Sequence, residues 1–159
     1  MRIVVVLALP RDAASVPLVR HTARAALVRA GVTSECAEEV EVALSEACTN
    51  AYRHAQSGET FEVVLSVGDD DLTVDVMDDG TGVQAAIPVM MPNPAADSGR
   101  GVSLMAAFSD QVVFDSVTGD GGWVRLRKRL RWAEDAPFQG RGTNNHHRLR
   151  AVQQRRGTG

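Results

Sequence analysis

Residues 41–55 read Glu41-Val42-Ala43-Leu44-Ser45-Glu46-Ala47-Cys48-Thr49-Asn50-Ala51-Tyr52-Arg53-His54-Ala55, and the way they are read decides the fold. Val40, Ala43, Leu44, Ala47 and Ala51 recur at helical spacing, which predicts the second half of a long amphipathic helix. On that helix Glu46 and Asn50 stand four residues apart and share a face. A carboxylate one turn from a carboxamide can act as a proton acceptor beside an oxygen ligand for a hard cation such as Mg²⁺. The same pair also suits an ordinary polar helix face. The stretch alone leaves both readings open.

Working outward, Ile3–Leu9 reads as a Val-rich strand closed by Pro10. It is too short for a signal peptide, lacks a small-x-small cleavage site and runs straight into Pro10-Arg11-Asp12. Ser15 is expected to cap a first helix with Pro17 in its first turn. Val16, Val19, Ala23, Ala26 and Leu27 form its buried stripe, Arg20, Arg24 and Arg29 face water, and Gly31 ends it. Thr33 or Ser34 starts the long helix, with Glu35, Glu38 and Glu39 near its positive end. Gln56-Ser57-Gly58 breaks it.

A hairpin follows: Thr60–Val67, a turn at Gly68-Asp69-Asp70-Asp71, then Leu72–Met77. Residues 83–98 hold three prolines, two methionines and one charge without periodicity, which reads as a lid. Gly99-Arg100-Gly101 opens a short helix through Phe108, and Gln111–Ser116 with Trp123–Leu130 makes a second hairpin. This order predicts an α/β two-layer sandwich, a mixed and mainly antiparallel sheet carrying its helices on one face. A doubly wound parallel sheet would need more helical crossovers. Residues 1–132 form the expected domain and 133–159 a basic, disordered tail.

Composition narrows the classes. Residues 1–130 carry 18 acidic and 11 basic side chains and residues 131–159 carry 2 and 6, so the body is acidic and makes no case for direct nucleic-acid binding. No stretch is long enough to span a membrane. Cys36 and Cys48 have neither metal-ligand spacing nor a disulfide framework, as in a reducing cytoplasm. Sixteen of the seventeen basic residues are Arg, a pattern read as coding bias, and the exception is Lys128.

Two further boxes carry chemistry. Asp78-x-Gly80-x-Gly82 lies where a buried strand leaves the sheet, so backbone can approach a ligand and Asp78 can accept from an exocyclic amine. Gly99-Arg100-Gly101 opens a helix whose free N–H groups can receive phosphate, with Arg100 as a charged contact. Neither is a Walker loop or a Rossmann fingerprint. Taken singly, the first is also a tight turn and the second a loop ending in an N-cap.

Taken in order, Glu46-x-x-x-Asn50, Asp78-x-Gly80-x-Gly82 and Gly99-x-Gly101 resemble the N, G1 and G2 boxes of the Bergerat-fold ATPases. Ser45–Ala51 and Val124-Arg125-Leu126-Arg127-Lys128 resemble the anti-sigma-factor serine kinases of the SpoIIAB and RsbW type. The resemblance implies an ATP-dependent protein-serine/threonine kinase in the bacterial cytoplasm. It would sequester a sigma factor and phosphorylate a STAS-domain anti-anti-sigma protein, regulating transcription by partner switching. It implies ATP and Mg²⁺ as cofactors and a homodimer through sheet edges. By motif, Glu46 is the catalytic base and Asn50 the Mg²⁺ ligand. Asp78 reads the adenine amino group, Gly80 and Gly82 shape its pocket, and Gly99, Arg100 and Gly101 close over the phosphates. Arg20 falls at the matching place for a partner contact, and His54, on the side of Asn50, is open to two readings, a group that approaches the phosphates or a satisfied structural residue.

Two features depart from the pattern: Gly122-Trp123 stands where the family has Thr after its last glycine, and the lid lacks residues to grip a γ-phosphate. They favour an alternative reading, a non-catalytic anti-sigma binding module with or without nucleotide. A detached histidine-kinase catalytic domain fits less well, for no phosphoacceptor helix pair is present.

Overall fold

The structure, a computed structural model, describes residues 2–54, 58–78, 99–116 and 122–137. Strand β1 (Ile3–Pro10) leads into helices α1 (Ser15–Ala30) and α2 (Ser34–His54). Strands β2 (Thr60–Val67) and β3 (Asp71–Asp78) follow, then α3 (Gly99–Phe108), β4 (Gln111–Ser116) and β5 (Gly122–Arg129). The strands form one sheet in the order β1-β2-β3-β5-β4. The expected mixed sheet is antiparallel throughout, since all four neighbouring pairs run antiparallel. Among the described residues no helix is long and apolar enough to cross a membrane.

Alternation along the strands separates two faces. Leu9, Phe61, Val63, Leu65, Val67, Leu72, Val74, Val76 and Leu126 point towards the helices and are buried. α2 meets them with Cys36, Ala37, Val40, Ala43, Leu44, Ala47, Cys48 and Ala51. Small residues dominate this stripe, so a 21-residue helix can lie close over the middle of the sheet. α1 adds Val19, Ala23 and Leu27, and α3 adds Met105. The opposite face carries charge pairs: Arg125 grips both oxygens of Asp75 at 2.6 and 3.0 Å and lies over the Trp123 ring, and Arg127 pairs with Asp71.

α1 begins at Ser15, but not by the expected cap. Its N-cap is Ala14, without a side-chain bond. The buried Ser15 hydroxyl instead donates to the Pro10 carbonyl at 2.8 Å, tying the helix to the end of β1. Asp12 takes over nearby by accepting from the Ala14 N–H. α1 ends as read: Gly31 has φ +95°, and the N–H groups of Val32 and Gly31 reach the Leu27 and Val28 carbonyls, a Schellman arrangement. Thr33 caps α2, its hydroxyl accepting from Cys36 N–H.

Residues 131–137 belong to the packed structure, so the expected boundary at 132 falls inside a contact. Arg131 and Ala133 exchange backbone bonds with Thr33 and Gly31, and Trp132 donates its indole N–H to the Asp69 carbonyl. Ala136 and Pro137 sit where a side chain at position 31 would be.

Candidate nucleotide site

α2 lies along the sheet with its start near the β2–β3 turn and its end near the other rim. Cys36 Sγ lies 3.9 Å from the Arg129 carbonyl at the first rim. At the second, Arg11 donates through Nε to the Tyr52 carbonyl and through a terminal nitrogen to that of Gly58. A guanidinium thus satisfies the Tyr52 carbonyl, which the last turn of α2 leaves without a helical partner, and ties it to Gly58 beyond the helix. No sequence pattern pointed to Arg11, because its partners are backbone atoms 41 and 47 residues away. The clamp holds the end of α2 at the rim where β1, β2 and β3 place Pro10, Phe61 and Asp78.

Glu46 and Asn50 are half-buried and both face the first turn of α3. A Cβ built on Gly101 would stand 2.8 Å from Glu46 Oε2 and 3.6 Å from Asn50 Oδ1. A side chain at 101 would displace the Glu46 carboxylate from this place. The two side-chain oxygens therefore converge on the N-terminal turn of a ten-residue helix, where free N–H groups and the helix dipole favour negative charge. Arg100, one residue before, is exposed at the same turn.

The third group comes from the sheet. Asp78 ends β3 and Gly122 opens β5 directly opposite. Gly122 N–H donates to Asp78 Oδ1 at 2.9 Å, and a Cβ at 122 would lie 2.8 Å from Oδ2. The structure thus brings Glu46, Asn50, Gly101 and Arg100 together, with Gly99 at the start of the same turn, and places Asp78 at the rim where α2 ends. Gly80, Gly82, residues 83–98 and the His54 side chain lie outside the described residues. Arg20 is on α1, well away from this turn, 42% exposed and 4.0 Å from Glu41. Arg24 holds the same carboxylate more closely, at 2.6 Å, which raises the Arg24 pKa.

Sequence reasoning marked Gly122 as a departure from the family and Lys128 as the exception among arginines, but gave neither a structural partner. Lys128 is buried on the inner face of β5, where it donates to the Phe108 carbonyl at 2.9 Å and pairs with Glu39 at 2.5 Å. It caps α3 from below. Its signal was its parity with Val124 and Leu126, together with its being the one Lys among arginines. Cys48 serves packing only, since burial pushes its thiol up to about 12.

The donor set fits Mg²⁺ and a nucleoside triphosphate. Asn50 offers a neutral oxygen at a helix N-terminus, and among the described residues no cluster of three or more His, Cys, Asp or Glu competes as a metal cage. Mg²⁺ commonly takes one or two protein ligands and completes its shell with phosphates and water. The bare positions at 101 and 122 let the carboxylates of Glu46 and Asp78 lie directly against backbone.

Residues 9–128 match the family model of the histidine kinase-like ATPase domain. The chain is 32% identical over 110 residues to the anti-sigma F factor of Clostridium acetobutylicum, covering 65% of this chain and 77% of that one. It is 32% identical over 123 residues to the serine-protein kinase RsbW of Bacillus velezensis, covering 70% and 77%. A crystal structure of the RsbU and RsbW domains of a Mycobacterium tuberculosis protein superposes with a TM-score of 0.63 at 18% identity. That match covers 80% of this chain and 32% of the longer one.

Proposed function

The chain belongs to the histidine kinase-like ATPase family, in its anti-sigma factor and RsbW branch, and from that premise we propose that it is an ATP-dependent protein-serine/threonine kinase that sequesters a sigma factor. Its substrate is a serine of a STAS-domain antagonist, and phosphorylation of that antagonist keeps the sigma factor captured. The observation that carries the reading is the convergence of Glu46 and Asn50 on Gly101 at the first turn of α3.

Each residue has a distinct task. Glu46 accepts the proton of the incoming serine hydroxyl. Asn50 contributes the protein's oxygen to Mg²⁺, which when bound neutralises charge on the phosphates. The α3 N–H groups and Arg100 bind phosphate oxygens, with Gly99 and Gly101 keeping that turn bare. Asp78 accepts from the adenine amino group, and Gly80 and Gly82 shape the pocket around it. Arg20, exposed on α1, contacts the protein partner. β1 offers the open sheet edge through which a homodimer would form.

Incubation with γ-labelled ATP, Mg²⁺ and STAS proteins of the same genome tests the proposal. Labelled serine on one of them is expected, and ATP binding without transfer to any would remove the kinase assignment. A second reading, a non-catalytic anti-sigma module, is favoured by Gly122, which meets Asp78 with a backbone amide where relatives of this branch are expected to bring a hydroxyl. Calorimetry separates the two, because a module without nucleotide gives no heat with ATP and Mg²⁺.

A further inference from the structure

Among the described residues Lys128 is the one charged residue that is buried, and packing alone does not explain it. Leu126 and Leu130, its neighbours in alternation, are apolar and buried, and a third apolar side chain would fill the place as well. Burying an ammonium is costly, and exchanging a buried ion pair for well-packed apolar groups is often neutral. What a lysine does here and a leucine cannot is to bond two elements at once. Its Nζ donates to the carbonyl of Phe108, the last residue of α3, at 2.9 Å and pairs with Glu39 of α2 at 2.5 Å. A cation at that place also meets the negative end of the α3 dipole.

The fastenings between α2 and α3 match along both helices. Glu39 and Glu46 stand seven residues apart on α2, two turns and so on one face, and Gly101 and Phe108 stand seven apart on α3. Glu46 meets Gly101 at one end, and Glu39 reaches Phe108 through Lys128 at the other. The helices therefore run antiparallel and are fastened at two points about 10 Å apart. Between these points little resists sliding. From Arg100 to Phe108 only Met105 is buried, an unbranched and adaptable side chain, and α2 turns the small Ala43 and Ala47 into the same core.

We propose that Lys128 is a positioning residue of the nucleotide site: by bridging Glu39 to the Phe108 carbonyl it sets the register of α3 along α2 and so holds the first turn of α3 against Glu46 and Asn50. The inference rests on the nucleotide-binding reading given above, in which that turn receives the phosphates. Without the bridge α3 keeps its helix and its buried Met105, but its first turn is no longer held at one place. Contacts to phosphate then suffer and contacts to the base do not. Glu39 is not stranded by the loss, since Arg131 stays on it at 2.9 Å.

The test uses the full chain and Lys128→Met, which keeps most of the side-chain length without the charge. Binding of ATP with Mg²⁺, and of adenosine as the phosphate-free ligand, is followed by NMR titration. Lys128→Met should bind ATP about tenfold more weakly, the loss expected when one charge-assisted hydrogen bond is broken, and adenosine as wild type does. Glu39→Gln, which weakens the bridge from its other end, should move ATP the same way, and the double variant should lose no more than Lys128→Met alone. Equal weakening of ATP and adenosine, or additive losses in the double variant, would mark a general structural role and overturn the inference. Unchanged ATP binding by folded Lys128→Met would overturn it too. Binding of neither ligand by wild type would overturn the nucleotide reading beneath it. Should adenosine bind wild type too weakly to register, the double variant decides, and should Lys128→Met not fold, the ratio of ATP to adenosine affinity in Glu39→Gln decides.

Discussion

The two rims of the sheet are held together by opposite means. At the rim where α2 begins, side chains are many and fully used. Glu39 takes both Lys128 and Arg131, Trp132 reaches Asp69, and residues 136–137 close over Gly31. At the rim where α2 ends, the closest approaches are made to residues without side chains: Glu46 to Gly101, and Asp78 to Gly122. One rim is joined by paired side chains, and at the other carboxylates stand directly against bare glycines. A chain that builds its stability at one end can hold carboxylates against backbone at the other, the end at which the proposed nucleotide would bind.

That division can be broken from either side. The largest effect is expected for Glu46→Ala, which should lower phosphoryl transfer by about 10²–10⁴-fold, the usual worth of a general base. ATP binding and melting temperature should hardly move, and transfer at the wild-type rate would remove Glu46 from its role. At the other rim, Gly31→Ala places a Cβ 2.6 Å from that of Ala136 at φ +95°. It should cost on the order of 1–3 kcal/mol of stability, read by thermal or urea unfolding, with ATP affinity unaltered. A fall in ATP affinity at full stability would show that the rims are not separate.

Glu39→Gln sharpens the contrast through pH. Hydrogen bonds from Arg131 first and then Lys128 hold the Glu39 carboxyl below its ordinary range. A lowered folded-state pKa means stability that is present above the unfolded-state value and is lost as pH falls through the folded one. The variant should be less stable by about 1–3 kcal/mol at neutral pH, and the gap to wild type should close on acidification. A gap constant from pH 7 to 3 would contradict the assignment. The smallest effect belongs to neither rim: Arg125→Ala, on the solvent face of the sheet, should cost less than about 1 kcal/mol in a chemical melt.

Elements with a repeating pattern were legible in the sequence. α2 declared itself through Val40, Ala43, Leu44, Ala47 and Ala51, and all of these are buried. The strands followed from alternation and the α1 stop from Gly31. Glu46 and Asn50 were found because a helix turns their spacing into adjacency. What stayed hidden were contacts in which a side chain meets a backbone atom. Arg11 on Tyr52, Ser15 on Pro10, Lys128 on Phe108 and Asp78 on Gly122 are of this kind. No side-chain code marks such a partner, so only the fold reveals it. Residues 133–137 were misread for a related reason: their polar composition suggested a free tail, while their anchor is the bare surface of a glycine.

The pairing of Pro10 with Thr60 has a consequence for how the molecule assembles. β1 and β2 are neighbours in the sheet, yet both helices lie between them in the chain. Closing this pair thus encloses the whole segment that carries Glu46 and Asn50, while β2, β3, β5 and β4 can zip together without it. Because so long a loop must be closed before its contacts return anything, the late event in folding should be the docking of β1. Ser15 and Arg11, both just beyond the C-terminal end of that strand, would latch α1 and α2 in the same step. The meeting of Glu46 and Asn50 with the first turn of α3 would then become whole only when the strand Ile3–Pro10 has found its place.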